Sequence, residues 1–269
     1  MLLHKVRWGL QMVREGHGKF LLADAFMRTY KQVQEVTYGL GTRGRLSGAK
    51  DLNIALKTQH PIAYESPDHL NPRGTKADNS TNKKFVRSMA ERLIRERPGQ
   101  EHGLLDLGCS GGQLVKDFSE WGWLAVGLEG SDYSLRHRRA NWADLAGKNL
   151  FTCDITKPFQ VESKGQPAKF DVITMWEVLE HIAEADLPQL FANILNHMEV
   201  GGYFVASTTS VPDVQNGVDL HQTKWTNQQW RAMIAQRYPE LQHVELGLRS
   251  YQFVRHNEER SFLTYRRSK

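Results

Sequence analysis

The sequence predicts an α/β fold: a mainly parallel sheet with helices on both faces, preceded by a helical and loop extension. Three observations predict it. Gly103–Val115 reads as a short apolar strand, a tight glycine turn at Gly108-Cys109-Ser110-Gly111-Gly112, and the start of a helix. From Pro98-Gly99 onward, apolar runs of strand length alternate with segments of helical period, which is the pattern of βα units. The runs are apolar throughout, as in strands covered on both faces.

Residues 1 to about 45 have helical spacing, with Val6, Leu10, Val13, Phe20, Leu21, Phe26 and Tyr30 recurring near one face. A basic amphipathic start can touch an acidic membrane, but packing on its own domain or a second subunit is the favoured expectation. From Gly39 to Asp78 the pattern breaks into Gly, Pro and polar residues, which is loop chemistry. A loop of this length in a compact protein is disordered or functional. Asp68, His69, Arg73, Asp78, Asn79 and Asn82 form a polar set that could line a site. Asn79-Ser80-Thr81 also reads as the N-cap of a helix carrying Phe85, Val86, Met89 and Leu93 on one side.

The regular part then runs in order. Strand 104–108 feeds helix 112–121, strand 124–129 feeds helix 132–146, and strand 150–153 ends at Asp154. Strand 170–176 feeds a helical turn from Glu177 to His181, helix 186–198 stops at Gly201-Gly202, and strand 203–208 follows. Helix 226–237, capped by Thr226, precedes Pro239; Trp230 is expected to pack. The runs 242–248 and 261–266 close the chain as strands. The expected division is an extension over 1–80, a candidate lid, and a cofactor-binding domain over 81–269.

The totals narrow the function. The 269 residues, 40% of them hydrophobic, suffice for one sizeable core plus an extension. The formal charge of +5 is mild, and much of the excess sits near the ends, so it argues against a nucleic-acid partner. Two cysteines, Cys109 and Cys153, do not make a disulfide scaffold. No apolar run reaches membrane-spanning length and no signal-peptide core opens the chain, so a cytoplasmic protein is expected and the oligomeric state stays open.

Ligands of such sheets sit at the carboxyl ends of the strands. A dinucleotide would require Gly-x-Gly-x-x-Gly, but the glycines fall at 108, 111 and 112. Asp106, two before the first glycine, instead suits the cationic, phosphate-free S-adenosylmethionine, because a carboxylate can accept from an ammonium or an ordered water. Glu129 ends the second strand, where it can accept ribose hydroxyls, and Asp154 ends the third, where it can accept from an adenine amino group. Either could equally cap the helix that follows.

Asp106-Leu-Gly-Cys-Ser-Gly-Gly, Glu129, Asp154 and Phe170-Asp-Val-Ile-Thr-Met-Trp-Glu-Val-Leu-Glu-His-Ile resemble the motifs of class I S-adenosylmethionine-dependent methyltransferases, from about Asn82 onward. Ser110 stands where the usual pattern has glycine. The resemblance implies a Rossmann-like seven-stranded sheet with one antiparallel strand near the end. It implies a cofactor set of Asp106, Gly108, Cys109, Ser110, Gly111, Gly112, Glu129, Gly130, Asp154, Ile155, Trp176 and Glu177. Trp176 could wall the methyl channel or simply end the core of its strand.

Glu177, Glu180 and His181 fall near one face of a helical turn, and His221 lies in the polar loop after the fifth strand. Two carboxylates and two imidazoles are candidate ligands for Mg²⁺, Mn²⁺ or Zn²⁺. This set looks like that of small-RNA 2′-O-methyltransferases, and Glu-Val-Leu-Glu-His is also similar to ubiquinone-pathway O-methyltransferases. Without a metal, Glu177 lines the cofactor pocket, and His181, His221 and Glu180 are the candidate catalytic residues. Asp213, Asn216 and Asp219 are expected to shape the acceptor pocket. The expected reaction is O-methylation of a small polar acceptor, a sugar or phenolic hydroxyl. RNA 2′-O-methylation and a non-catalytic partner subunit are the alternatives.

Overall fold

The computed structural model of the chain describes residues 53–255 and 261–268. The helical pattern expected over 1–45 lies outside them, as does the loop stretch before residue 53. Ahead of the main sheet come β1 (Ile54–Thr58), α1 (Pro67–Leu70), α2 (Arg73–Ala77) and α3 (Lys83–Glu96). Then follow β2 (Gly103–Leu107), α4 (Gln113–Ser119), β3 (Leu124–Glu129), α5 (Tyr133–Arg136), α6 (Trp142–Leu145) and β4 (Leu150–Thr152). A small excursion, β5 (Phe159–Ser163) and β6 (Gln166–Pro167), precedes β7 (Phe170–Trp176), α7 (Leu187–His197) and β8 (Met198–Thr208). The hairpin β9 (Val214–Gln215) and β10 (Val218–Asp219), α8 (Asn227–Arg237), β11 (Leu241–His243) and β12 (Ser261–Arg267) complete the described chain.

Seven strands form one sheet in the order β11-β12-β8-β7-β2-β3-β4. β12 runs antiparallel to both neighbours, and the other ladders are parallel. Every residue of β2 and β7 is buried, because side chains alternate between two covered faces. Leu105, Leu107, Ile173 and Met175 join Phe191 and Trp230 in one core. Leu104 and Val172, one residue out of phase, join Phe85, Met89 and Phe118 in the other.

Where expectation and structure differ, tertiary bonds decide. Helix 132–146 is broken into α5 and α6, with Arg138 (φ 47°) and Ala140 (φ 49°) left-handed. The break lets Asn141 donate to the Gly111 carbonyl and the Trp142 indole donate to the Ser110 carbonyl at 2.7 Å, so the segment clasps the glycine turn. Strand 203–208 begins earlier, at Met198, and the run 242–248 keeps strand form only over Leu241–His243. Helix α8 starts as expected, with Thr226 and Gln229 forming a capping box, and Trp230 is fully buried.

Five strands had no counterpart in the sequence pattern: β1, β5 and β6, and the hairpin β9 and β10. β1 pairs antiparallel with β5, and β5 with β6, making a separate three-stranded sheet. Residues 54–78 thereby reach the carboxyl ends of the main sheet, where Ala63 N–H donates to the Gly130 carbonyl. The cap of α3 is Asn82, whose side chain accepts from Lys84 N–H and donates to the Tyr251 and Phe253 carbonyls. Asn79, expected in that cap, accepts from Gln113 N–H at 3.1 Å and so caps α4 instead.

Candidate active site

The turn after β2 is shaped by two left-handed glycines. Gly108 (φ 79°) lies against Val178, and a Cβ on Gly112 (φ 79°) would sit 2.5 Å from Leu150. Glycine tolerates this backbone and leaves room for these neighbours. Ser110 is also left-handed (φ 45°) and is held by its own bonds. Its hydroxyl donates to the Asp78 carbonyl at 2.8 Å and its N–H to Glu129 Oε2 at 2.8 Å.

A cavity of about 1110 Å³ opens along the carboxyl ends of the strands. Asp154 and Ile155 line it beyond β4, Glu129 and Gly130 beyond β3, and Gly108 and Ser110 beyond β2. Trp176 and Glu177 line it beyond β7, next to Glu180, His181 and His221. From the polar stretch, Asp68, His69, Arg73 and Asp78 border it, as does Asp213; Asn79, Asn82, Asn216 and Asp219 do not. Asp219 instead accepts from His221 N–H and pairs with Lys224 at 2.8 Å. Asp106, Cys109, Gly111 and Gly112 lie behind the lining, where they shape the turn.

Asp106 is buried and accepts from the Thr174 hydroxyl at 2.7 Å. Burial pushes its carboxyl up to about 7 despite that bond, and Glu129 adds to the rise. The folded state therefore binds the proton more tightly than the unfolded chain does. Stability from this group is complete below the ordinary carboxylate value and is lost as pH rises through about 7. Asp106→Asn keeps an acceptor for Thr174 and removes the titration. Its stability gain over wild type is expected near zero at pH 4 and rising at pH 8 toward a ceiling of roughly 4 kcal/mol. Urea unfolding at both pH values checks this; an equal difference at the two would refute it.

Glu129 is buried with both oxygens engaged. Oε2 accepts from Ser110 N–H, and Oε1 from Ser131 N–H at 3.3 Å and the Thr75 hydroxyl at 3.2 Å. Burial raises its pKa, and those three bonds oppose the rise. Asp154 Oδ1 accepts from Thr156 N–H and its hydroxyl, so this residue both turns the chain and faces the cavity.

The second constellation departs from a single helical face. Glu177 is left-handed (φ 57°), and only Leu179–His181 forms a turn, of 3-10 type. Glu177 therefore swings to accept from Ser207 Oγ at 2.7 Å and stands outside the cluster it was expected to join. Glu180, His181 and His221 each offer a ligand atom within 4.8 Å of the others. Backbone bonds from Gln222 and Thr223 N–H to the Glu180 carbonyl carry His221 to this place.

Glu180 is fully buried, and neither carboxylate oxygen has a hydrogen-bond partner among the described residues. Burial, reinforced by the Glu177 charge, pushes it up to about 8. The His181 Nδ1 lies 2.8 Å from Asp68 Oδ2. Burial pulls His181 down, but the Asp68 carboxylate, with Glu180 and Asp213, more than reverses this and leaves it raised. The two imidazoles meet edge-on, centroids 4.6 Å apart. His221 Nδ1 donates to the Val211 carbonyl at 2.5 Å, which leaves Nε2 with its lone pair. Burial and the neighbouring His181 hold the His221 pKa down.

Sequence reasoning missed Thr75, Val211 and Arg255, and the pairing of Asp68 with His181. All four depend on segments remote in sequence meeting at the rim. The only sequence signal was the polar character of residues 68–82.

A glycine turn after the central strand, an acidic residue ending the next, and this strand order define a class I S-adenosylmethionine-dependent methyltransferase fold. A family model described as a methyltransferase domain matches residues 79–252, and the chain belongs to that family. It is similar to the ubiquinone biosynthesis O-methyltransferase of Idiomarina loihiensis, 31% identical over 81 residues, 30% of this chain and 32% of that protein. It is equally similar, 31% over 114 residues, to the enzyme of that name from Methylobacterium nodulans, covering 42% of this chain and 43% of that protein. The chain thus spans less than half the length of these curated relatives. Among solved structures, the PH0226 protein of Pyrococcus horikoshii superposes with a TM-score of 0.50 at 14% identity, over 74% of this chain and 98% of that one. No helix among the described residues is long and apolar enough to cross a membrane.

Proposed function

We propose that the protein transfers the methyl group of S-adenosylmethionine to a hydroxyl of a small, neutral, polar acceptor. One observation carries this reading: a single cavity links the acidic strand ends at Asp154 and Glu129 to the Glu180–His181–His221 cluster. Its volume exceeds the upper end of ordinary one-ligand pockets, about 1,000 Å³, so a nucleoside and an acceptor can share it. Asp154, Glu129 and the glycine turn receive adenine, ribose and the amino-acid end in that order, with Ile155, Gly130, Ser110, Trp176 and Glu177 around them.

Methyl transfer is an in-line displacement at carbon with a good leaving group, so the protein supplies alignment and removes the hydroxyl proton. His221 does the second. Its Nε2 is unprotonated in the neutral imidazole, and its lowered pKa keeps it neutral at pH 7. His181, held by Asp68 with its pKa raised, fixes the acceptor oxygen. The residues from Ile62 to Asp78 form one wall of the cavity and act as its lid.

The charge around the cavity selects the acceptor. Its Arg and Lys side chains are all engaged: Arg73 with Asp213 at 3.3 Å, Lys157 with Asp186 at 3.6 Å, and Arg255 with Asp78. Among the described residues no unpaired Arg or Lys lines the cavity to meet a phosphate, which favours a sugar or catechol over RNA.

A second reading is favoured by the Glu180 carboxylate, a buried acceptor without a donor among the described residues. Glu180, His181 and His221 would hold a divalent cation, Zn²⁺, Mn²⁺ or Mg²⁺. The outer nitrogens of both imidazoles are tied to a carboxylate and a backbone carbonyl, the usual orientation of ligating histidines. Bound there, a cation would lower the pKa of an acceptor hydroxyl. The test screens neutral polyols, catechols and their phosphorylated forms with methyl-labelled cofactor, before and after chelation. Labelling of neutral acceptors is expected. Labelling of phosphorylated acceptors or RNA alone would reject the acceptor class, and full turnover of metal-free protein would reject the cation.

A further inference from the structure

The cofactor's amino-acid head bears an α-carboxylate and an α-ammonium, and the glycine turn that borders it offers the first of these no cation. Its cavity-facing backbone donors are spent, and Gly111 lies behind the lining: Gly108 and Cys109 N–H bond to the Leu128 carbonyl, and Ser110 N–H to Glu129. Gly112 N–H bonds to the Cys109 carbonyl, and Gln113 N–H to Asn79. A carboxylate in the cavity beside this turn needs a cation from elsewhere. Of the cavity's cationic side chains, Arg73 is paired with Asp213 of the β8–β9 connection and Lys157 with Asp186 at the start of α7. Arg255, which follows the last 3-10 turn before β12, is paired with Asp78 Oδ2, and its Nε is buried without a partner among the described residues.

Asp78 is fixed against the turn. Its carbonyl accepts from the Ser110 hydroxyl and from Arg139, and its Oδ1 accepts from Ser80 N–H at 3.1 Å and the Ser80 hydroxyl. Both side chains remain about a quarter exposed to the cavity, Asp78 at 25% and Arg255 at 27%. Trp176, lining the same end, also has a buried indole N–H without a partner among the described residues. An Asp–Arg pair is the charge complement of a zwitterion.

We infer that Asp78 and Arg255 form the receptor for the amino-acid head, Arg255 taking the α-carboxylate and Asp78 the α-ammonium. This rests on S-adenosylmethionine being the cofactor. The pair lies just outside the family match over 79–252, at its two borders. The two side chains neutralise each other at the cavity wall; the ligand exchanges one internal pair for two external ones. The segments before and after the matched domain are thus joined across the cofactor.

The test compares S-adenosylhomocysteine with 5′-methylthioadenosine, which keeps the nucleoside and lacks the amino-acid head, by calorimetry. In wild type the first is expected to bind far more tightly. Arg255→Ala is expected to weaken S-adenosylhomocysteine about 10- to 100-fold, the scale of a charge-assisted pair, and to leave 5′-methylthioadenosine within about twofold. Arg255→Lys is expected to recover part of the loss. Asp78→Asn is expected to weaken S-adenosylhomocysteine but not its deaminated analogue, which retains only the carboxylate. Retained 5′-methylthioadenosine binding shows that each variant is folded. Equal losses for both ligands, or no loss for either, would overturn the inference. A wild-type protein that binds neither would instead overturn the cofactor reading itself.

Discussion

His221→Ala is expected to lower turnover about 10²- to 10⁴-fold, the usual contribution of a general base, while cofactor affinity stays within about twofold. Geometry sets this role before charge does. The Nδ1–H bond to Val211 fixes both tautomer and ring direction, so the remaining nitrogen is the basic one. Burial, with the neighbouring His181, then holds the pKa of the ring down. Cofactor affinity should hold because His221 stands at the β7–β8 end of the cavity, away from Glu129 and Asp154. Single-turnover assays with the labelled acceptor, paired with calorimetry on S-adenosylhomocysteine, separate the two quantities. Turnover within tenfold of wild type would remove His221 from the proton transfer. A matching loss of cofactor affinity would make its role structural.

Glu129→Ala is expected to weaken cofactor binding by about 1–3 kcal/mol, or roughly 5- to 150-fold. Two effects contribute. Ribose hydroxyls lose their acceptor, and the N–H groups of Ser110 and Ser131 lose theirs, which loosens the turn. Glu129→Gln separates these effects, because its amide oxygen can still accept from one N–H group while the charge is gone. An intermediate loss for Gln is expected by calorimetry. An unchanged affinity for the alanine variant would take Glu129 out of the ribose site.

Strands buried on both faces were the most legible part of the sequence. Runs 124–129 and 170–176 have the bounds found in the structure, because continuous apolar character leaves no ambiguity about burial. β1 and β5 escaped notice because they are short, partly exposed and pair with each other rather than with the main sheet. The helical face drawn through Glu177, Glu180 and His181 failed at one dihedral. A left-handed glutamate cannot be seen in a residue pattern, and it turns Glu177 toward Ser207. His221 was legible as a polar residue after a strand, but its approach to Glu180 depends on the backbone bonds from Gln222 and Thr223. Asp68 was legible only as a member of the polar stretch and Arg255 carries no local signal, since their partners lie far away in sequence.

The stretch from Ser66 to Asp78 touches both ends of the chemistry. Thr75 bonds to Glu129, and Asp68 grips His181. A nucleoside that dislodges Thr75 therefore pulls on the carboxylate that steadies the imidazole.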